Sequence, residues 1–299
     1  MLSPLDGRYP GWIIGALAAL PGVAATVTAA TVDLVDAADL HPGQTAAVTG
    51  TATAALVAHR LGAAAVTVVA DGTRADRARS ALDNAGLDSV RVAVDTAPVD
   101  RIITGTHRPT LVPPWWFNGL NPTGTLTARV TGPLETAILR ATTAGDRLRA
   151  TIDLDAHHGR DPTPPPPGTR WTKGGRVDGD LTTAIIDNPA FRIILQFTLP
   201  GLTPTVIDDR GVTLHGHYHR NHWTRITLIT QAPGARIHYT GGRSMPARIR
   251  SLYRMWTRNG APDVSDIRVL IPPTGTPSLT TGDGRNLGRA PTLHEHTRH

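Results

Sequence analysis

The residues best placed to do chemistry lie where the apolar run Ala46–Thr49 breaks at Gly50 and continues as Thr51-Ala52-Thr53-Ala54. A glycine at the end of a buried strand lets backbone approach a bound phosphate or ribose with no Cβ in the way. Threonines just after it can cap a helix. Asp71 closes the second apolar run, Ala65–Ala70, and strand ends of this kind are where adenosine-binding folds place a carboxylate that accepts from the ribose hydroxyls. Strand, turn, helix, strand is the unit that sets a cofactor at the carboxyl ends of parallel strands. The same residues also suit an ordinary strand-to-helix turn and a solvated strand-end aspartate, and both readings stay open at this level.

A second constellation is His215-Gly216-His217-Tyr218-His219, with His222 close by. Alternation along a strand would put His215, His217 and His219 on one face, as a three-imidazole metal site needs. No carboxylate partner is evident, and exposed strand histidines are common in a chain with 13 histidines, so no metal is assigned. The closing His294-Glu295-His296-Thr297-Arg298-His299 reads as a polar tail.

The elements that must position these residues follow from the apolar pattern. A helix is expected from about Ala54 to Leu61 between the two strands, and Val90–Thr96 runs straight into Ala97-Pro98. Ala137–Ala141 and Leu148–Leu154, separated by Ala144-Gly145-Asp146, form a predicted β-hairpin. The run Asp161-Pro162-Thr163-Pro164-Pro165-Pro166-Pro167-Gly168 lacks the donors that a helix or central strand needs and reads as a stiff linker. Beyond it the pattern predicts strands at Phe191–Thr198, Thr205–Ile207, Val212–His219, Trp223–Ile229, Ala235–Tyr239 and Asp266–Ile271. A helix is expected from Pro246 to about Arg258, with Ile249, Leu252, Tyr253 and Trp256 on one face and Arg248, Arg250 and Arg254 mostly on the other. A Gly/Pro/Thr-rich tail closes the chain and is expected to be loose.

At 299 residues and 40% hydrophobic content the chain suits one large or two modest domains. Aromatics are only 4%, so the core must be built largely from Ala, Val, Leu and Ile. The absence of cysteine excludes disulfides and thiol chemistry and is compatible with a reducing cytoplasm. The net charge of +6 is spread along the chain with no basic stripe interleaved with aromatics, so no nucleic-acid partner is expected. The apolar stretch Trp12–Leu20 is too short to span a membrane, and Asp6, Gly15 and Pro21 spoil it as a leader; it reads as a packing helix, with no membrane association.

Four ordered segments carry a more specific likeness: Leu40-His41-Pro42-Gly43, Ala58-His59-Arg60-Leu61-Gly62, Ala97-Pro98-Val99-Asp100-Arg101-Ile102-Ile103, and Pro113-Pro114-Trp115-Trp116 followed by Leu120-Asn121-Pro122-Thr123-Gly124. In these the chain resembles the protein-L-isoaspartate O-methyltransferase family, in its C-terminally extended actinobacterial form, over roughly Ala29 to Gly132. The resemblance implies a Rossmann-like S-adenosylmethionine methyltransferase sheet, an α/β fold, with a smaller C-terminal α+β domain. The division it suggests is a remnant segment 1–28, the methyltransferase domain 29–132, hairpin and linker 133–179, the α+β domain 180–275 and a flexible tail 276–299.

The resemblance also implies roles. Gly50, Thr51 and Thr53 would line the methionine side of S-adenosylmethionine, Asp71 and Asp95 the adenosine side, and Thr26, at the family's hydroxyl position, the acceptor carboxylate. Asp100, at a family position, would order its strand and loop. Around the pocket the family pattern is depleted. Its acid is Val48, its second glycine is Ala52, its third glycine is deleted, the ribose carboxylate position is Val69 with Asp71 two residues on, and the loop after Asp95 is missing. The implied function is methylation of an aspartyl or isoaspartyl carboxylate of a protein or peptide in the cytoplasm, with cofactor binding impaired or lost. The alternative is a non-catalytic peptide-binding module on the same scaffold.

Overall fold

The computed structural model describes residues 25–107, 113, 115–132, 134–155, 173–177, 181, 184–185, 187–199, 202–208, 211–219, 222–229, 235–239, 244–273 and 276–289. The proline run 161–168, the apolar stretch 12–20 and the terminal histidines fall outside them. The chain divides into two compact units, one of residues 1–107, 111–130 and 138–150, the other of 108–110, 131–137 and 151–299.

In the first unit, helix α1 (Ala25–Ala37) precedes β1 (Ala46–Val48), α2 (Thr51–Leu61), β2 (Val66–Val69), α3 (Gly72–Asn84), β3 (Arg91–Ala93), β4 (Val99–His107), the short α4 (Trp115–Asn118) and β5 (Leu120–Thr131). The strand order is β3-β2-β1-β4-β5, and every neighbouring pair is parallel. Ala46 sits opposite Val66 on one side and Arg101 on the other, so β1 is the central strand. This is the doubly wound, Rossmann-like α/β arrangement, in which short βα and αβ turns carry the chain between parallel strands. A strand covered on both faces should be apolar throughout, and Ala46, Ala47 and Val48 are all fully buried. Val32, Leu34 and Val35 of α1, Leu56 and Val57 of α2 and Leu82 of α3 join Ala46 and Val48 in one core. The small aliphatics expected from the composition fill it. The chain then forms β6 (Thr136–Ala144) and β7 (Arg147–Leu154), neighbouring strands of the expected hairpin, of which residues 138–150 belong to this unit.

The second unit is α+β. An antiparallel five-stranded sheet runs in the order β8 (Lys173–Val177), β12 (Ala235–Tyr239), β11 (His222–Ile229), β10 (Gly211–His219), β9 (Leu202–Asp208). With it are α5 (Pro189–Thr198), α6 (Ser244–Arg258) and an antiparallel set β13 (Ile267–Ile271), β14 (Ser278–Thr281) and β15 (Asn286–Arg289).

Two sequence expectations are corrected here. Residues 191–198, expected as a strand, are helical: the Asn188 side chain accepts from the Phe191 amide at 3.0 Å and Pro189 opens the first turn, so the start signal outweighs the strand-like apolar run. Ala190, Phe191, Ile193, Ile194, Leu195 and Phe197 are all buried, while Arg192 and Gln196 fall one turn apart on the remaining face, a helical period that the dense apolar run hides. The tail expected to be loose after residue 275 instead contains β14 and β15, with Leu279 and Leu287 fully buried.

α6 anchors through its aromatic face: the Phe191 ring lies 5.7 Å from Tyr253 and 5.2 Å from Trp256. Beside α5, Gln196 Oε1 accepts from the amides of Leu134 and Glu135 at 3.1 and 2.7 Å, and the Arg192 guanidinium pairs with the buried Glu135 carboxylate. Gly132 makes room for this network, since a Cβ there would lie 2.2 Å from Gln196 Oε1.

Candidate functional site at the carboxyl edge of the parallel sheet

Because β1 to β4 run parallel, the residues leaving them share one edge. The chain leaves β1 toward β2 and β3 and returns on the other side as β4, which makes the gap between β1 and β4 the point where ligands bind in open sheets of this kind. Gly50 follows β1, Asp71 follows β2, Asp95 follows β3, and Thr104 and Gly105 lie toward the end of β4.

Gly50 has φ +86° and ψ 141°, a conformation that side chains resist. A Cβ there would meet nothing nearer than Thr53 Oγ1 at 4.0 Å, so backbone conformation rather than crowding selects the glycine. Its carbonyl accepts from Ala54 at 3.1 Å, the first bond of α2, which therefore begins at Thr51, three residues earlier than the periodicity predicts. The amides of the first turn thus face the strand tip. Thr51 and Ala52 are half-buried, while Thr53 is only 6% exposed and belongs more to the core than to an open lining.

The residues that sequence reasoning missed are Thr49 and Thr104. Their hydroxyl oxygens are 2.9 Å apart, the Gly105 amide donates to Thr49 Oγ1 at 3.2 Å, and the Thr49 amide donates to Ile103 O at 3.1 Å. These bonds tie the tips of β1 and β4 together at the switch point. The available signal was register: Val48 pairs with Ile103, so the next residue on each strand is a threonine.

Asp71 is the N-cap of α3, extended at φ −120° and ψ 158°; its carbonyl accepts from Arg74 and Ala75 at 3.0 and 3.2 Å, and its carboxylate makes no cap bond. The exposed carboxylate lies at a helix amino end, where the dipole favours it. The Ala70 amide donates to Ala93 O at 2.9 Å, closing the ends of β2 and β3, and Asp95 lies exposed two residues beyond. Asp71 and Asp95 therefore flank joined strand ends on the same edge as Gly50. Thr26 lies in the first turn of α1, and its side chain is outside the described residues.

Other motif residues go to the opposite edge. Asp100 opens β4, where its Oδ2 accepts from the Thr45 amide at 2.9 Å and the Thr45 hydroxyl at 3.0 Å, and its Oδ1 accepts from Asn121 Nδ2 at 2.9 Å. The Thr45 amide, then Asn121, hold the Asp100 carboxyl below its ordinary 3.8. Asp100 orders strand and loop, as expected. His41 likewise closes a turn, its amide donating to Gln44 Oε1 at 2.9 Å.

The histidine strand is β10, but its pairing with β11 shifts register between His217 and His219, so strict alternation does not carry through the three histidines. Their side chains lie outside the described residues. Among the described residues no cluster of three metal-ligating side chains occurs, and no helix is long and apolar enough to cross a membrane.

The fold places the chain in the class of Rossmann-like α/β proteins on its own strand order. Among solved structures it is similar to a protein-L-isoaspartate O-methyltransferase, with 13% sequence identity, a TM-score of 0.45, and 84% of this chain and 80% of that one covered. No family model matches the sequence, and no curated protein does.

Proposed function

We propose that the carboxyl edge of the parallel sheet is a weakened S-adenosylmethionine site, on a scaffold built to methylate an aspartyl or isoaspartyl carboxylate of a protein or peptide. The observation that carries this reading is the Gly50 turn: a positive-φ glycine at the tip of the central strand, opening a helix that no side chain caps, with two exposed carboxylates at the neighbouring tips. The ordered sequence segments add the reaction class. Gly50 and Thr51 would hold the methionine side and Asp71 and Asp95 the adenosine hydroxyls, with Thr53 set behind them in the core. When bound, S-adenosylmethionine supplies a methyl group already activated by its sulfonium. The protein then has only to position the acceptor, and the Thr26 hydroxyl would orient that carboxylate.

A second reading, a peptide-binding module without methyl transfer, is favoured by Thr49 and Thr104, whose hydrogen bond joins β1 and β4 where the cofactor should lie. Ala52 and the missing loop after Asp95 point the same way. Calorimetry of the full chain with S-adenosylmethionine separates the two. A dissociation constant tighter than ~100 μM, about 5.5 kcal/mol, that weakens in Asp71→Asn and Asp95→Asn supports the transferase. No heat of binding supports the module.

A further inference from the structure

We propose that the outward face of α6 docks an acidic segment of a partner polypeptide, one whose carboxylates recur at four-residue spacing. This stands apart from methyl transfer and does not need the strand-tip site to bind anything.

The sequence of α6, Ser-Met-Pro-Ala-Arg-Ile-Arg-Ser-Leu-Tyr-Arg-Met-Trp-Thr-Arg, holds four arginines and no acidic residue. Its rotation is fixed from inside: Ile249 and Trp256 are buried, and Tyr253 meets Phe191 edge-on while Trp256 packs on it at a tilt. That rotation leaves Arg250, Arg254 and Arg258 as one exposed row at successive four-residue steps. With Ala247, Ser251 and Met255 they line an open groove of about 560 Å³.

A rise of 1.5 Å per residue sets neighbouring arginines about 6 Å apart along the axis. Like charges at that spacing disfavour a helix. No carboxylate among the described residues pairs with any of the three, so the aromatic anchor holds together a row that the helix itself does not neutralise. A guanidinium is a planar fork that matches a carboxylate through two parallel hydrogen bonds, and three forks in line fit three carboxylates on one side of a peptide.

The groove also discriminates between polyanions. Single-stranded nucleic acid is held by basic grooves that offer aromatic rings for base stacking. The rings of α6, Tyr253 and Trp256, are turned to Phe191, and among the described residues the groove offers Ala247 and Met255 instead, which suit the methylenes of a peptide.

The test is fluorescence anisotropy on the full chain, without S-adenosylmethionine. The probe is a labelled helical peptide with glutamate at every fourth position; its glutamine counterpart and a single-stranded oligothymidylate are the comparisons. The glutamate peptide should bind, lose affinity as salt rises, and bind the triple variant R250Q/R254Q/R258Q at least ~10-fold more weakly, about 1.4 kcal/mol. The triple lysine variant should fall between, because it keeps charge and loses the forks. Circular dichroism should be unchanged in both, since all three side chains are exposed. Failure of the glutamate peptide to bind below ~1 mM overturns the proposal, as does equal affinity for the glutamine peptide, equal affinity in the glutamine variant, or tighter binding of the oligonucleotide.

Discussion

Thr49 and Thr104 each stand one residue beyond Val48 and Ile103, the last pair between β1 and β4, and their hydroxyl oxygens meet at 2.9 Å across the switch point of the sheet. Thr104 is fully buried, and Thr49 also accepts the Gly105 amide. The pair therefore satisfies polar groups that the end of the β1–β4 ladder would otherwise strand away from water.

Thr49→Val should lower stability by about 1–2 kcal/mol, because it removes the acceptor of the Gly105 amide and one partner of the Thr104 hydroxyl while conserving shape. Thr104→Val should cost a similar amount, and the double variant less than the sum, with a coupling of about 0.5–1.5 kcal/mol. Urea unfolding of the four proteins measures the cycle. Strict additivity would show that the two hydroxyls do not act as a pair.

Gly50→Ala should destabilise by about 1–3 kcal/mol, since φ +86° with ψ 141° is closed to a residue with a Cβ, while open space around the new methyl adds no clash. The loss should appear as a lower thermal midpoint, and any affinity for S-adenosylmethionine should fall with it. A variant as stable as the parent would mean that the turn has another conformation in solution.

Asp100 has a folded-state value below its ordinary 3.8, so its hydrogen bonds stabilise the fold at neutral pH, and that contribution is lost as pH falls through the folded value. Asp100→Asn should cost up to about 1 kcal/mol at neutral pH by mismatching the Thr45 amide, hydroxyl and Asn121 donors, because solvent screens this exposed site. It should also flatten the fall in urea midpoint between about pH 4 and the acid transition. Some slope should remain from Asp283, which the Thr281 hydroxyl shifts in the same direction. A midpoint profile parallel to the parent's would remove Asp100 as a source of acid sensitivity.

Gly132→Ala should destabilise by about 1–3 kcal/mol through overpacking, because the new methyl would displace the Gln196 amide from the Leu134 and Glu135 amides. Adding Gln196→Ala should recover little, since the two amides then lose their acceptor. Chemical unfolding of the single and double variants checks both points.

Much of the architecture was legible because it is written locally. Period-two and apolar-run signals marked β1, β2, the β6–β7 hairpin and β10 to β13, and a one-sided apolar pattern marked α6. α5 was not legible in this way. Its polar face is only Arg192 and Gln196, too brief a period to stand out from the apolar run, and the Asn188-Pro189 start tells helix from strand. β14 and β15 escaped for a different reason: four-residue strands in a Gly- and Thr-rich stretch carry too little pattern to stand out, and their pairing with each other and with β13 makes them strands.

The candidate site divides along the same line. By itself the sequence determined the ingredients: a glycine ending an apolar strand, aspartates after the next two, and a row of arginines opposite an aromatic helix face. Local chain geometry fixes such features within a few residues. Only the tertiary structure decided that Asp100 and Asn121 work at the amino edge while Asp71 and Asp95 share the carboxyl edge with Gly50, and that Thr49 and Thr104 join the strands between them. Residues 55 apart meet because parallel pairing sets Val48 against Ile103, and that register depends on a fold no short window of sequence contains.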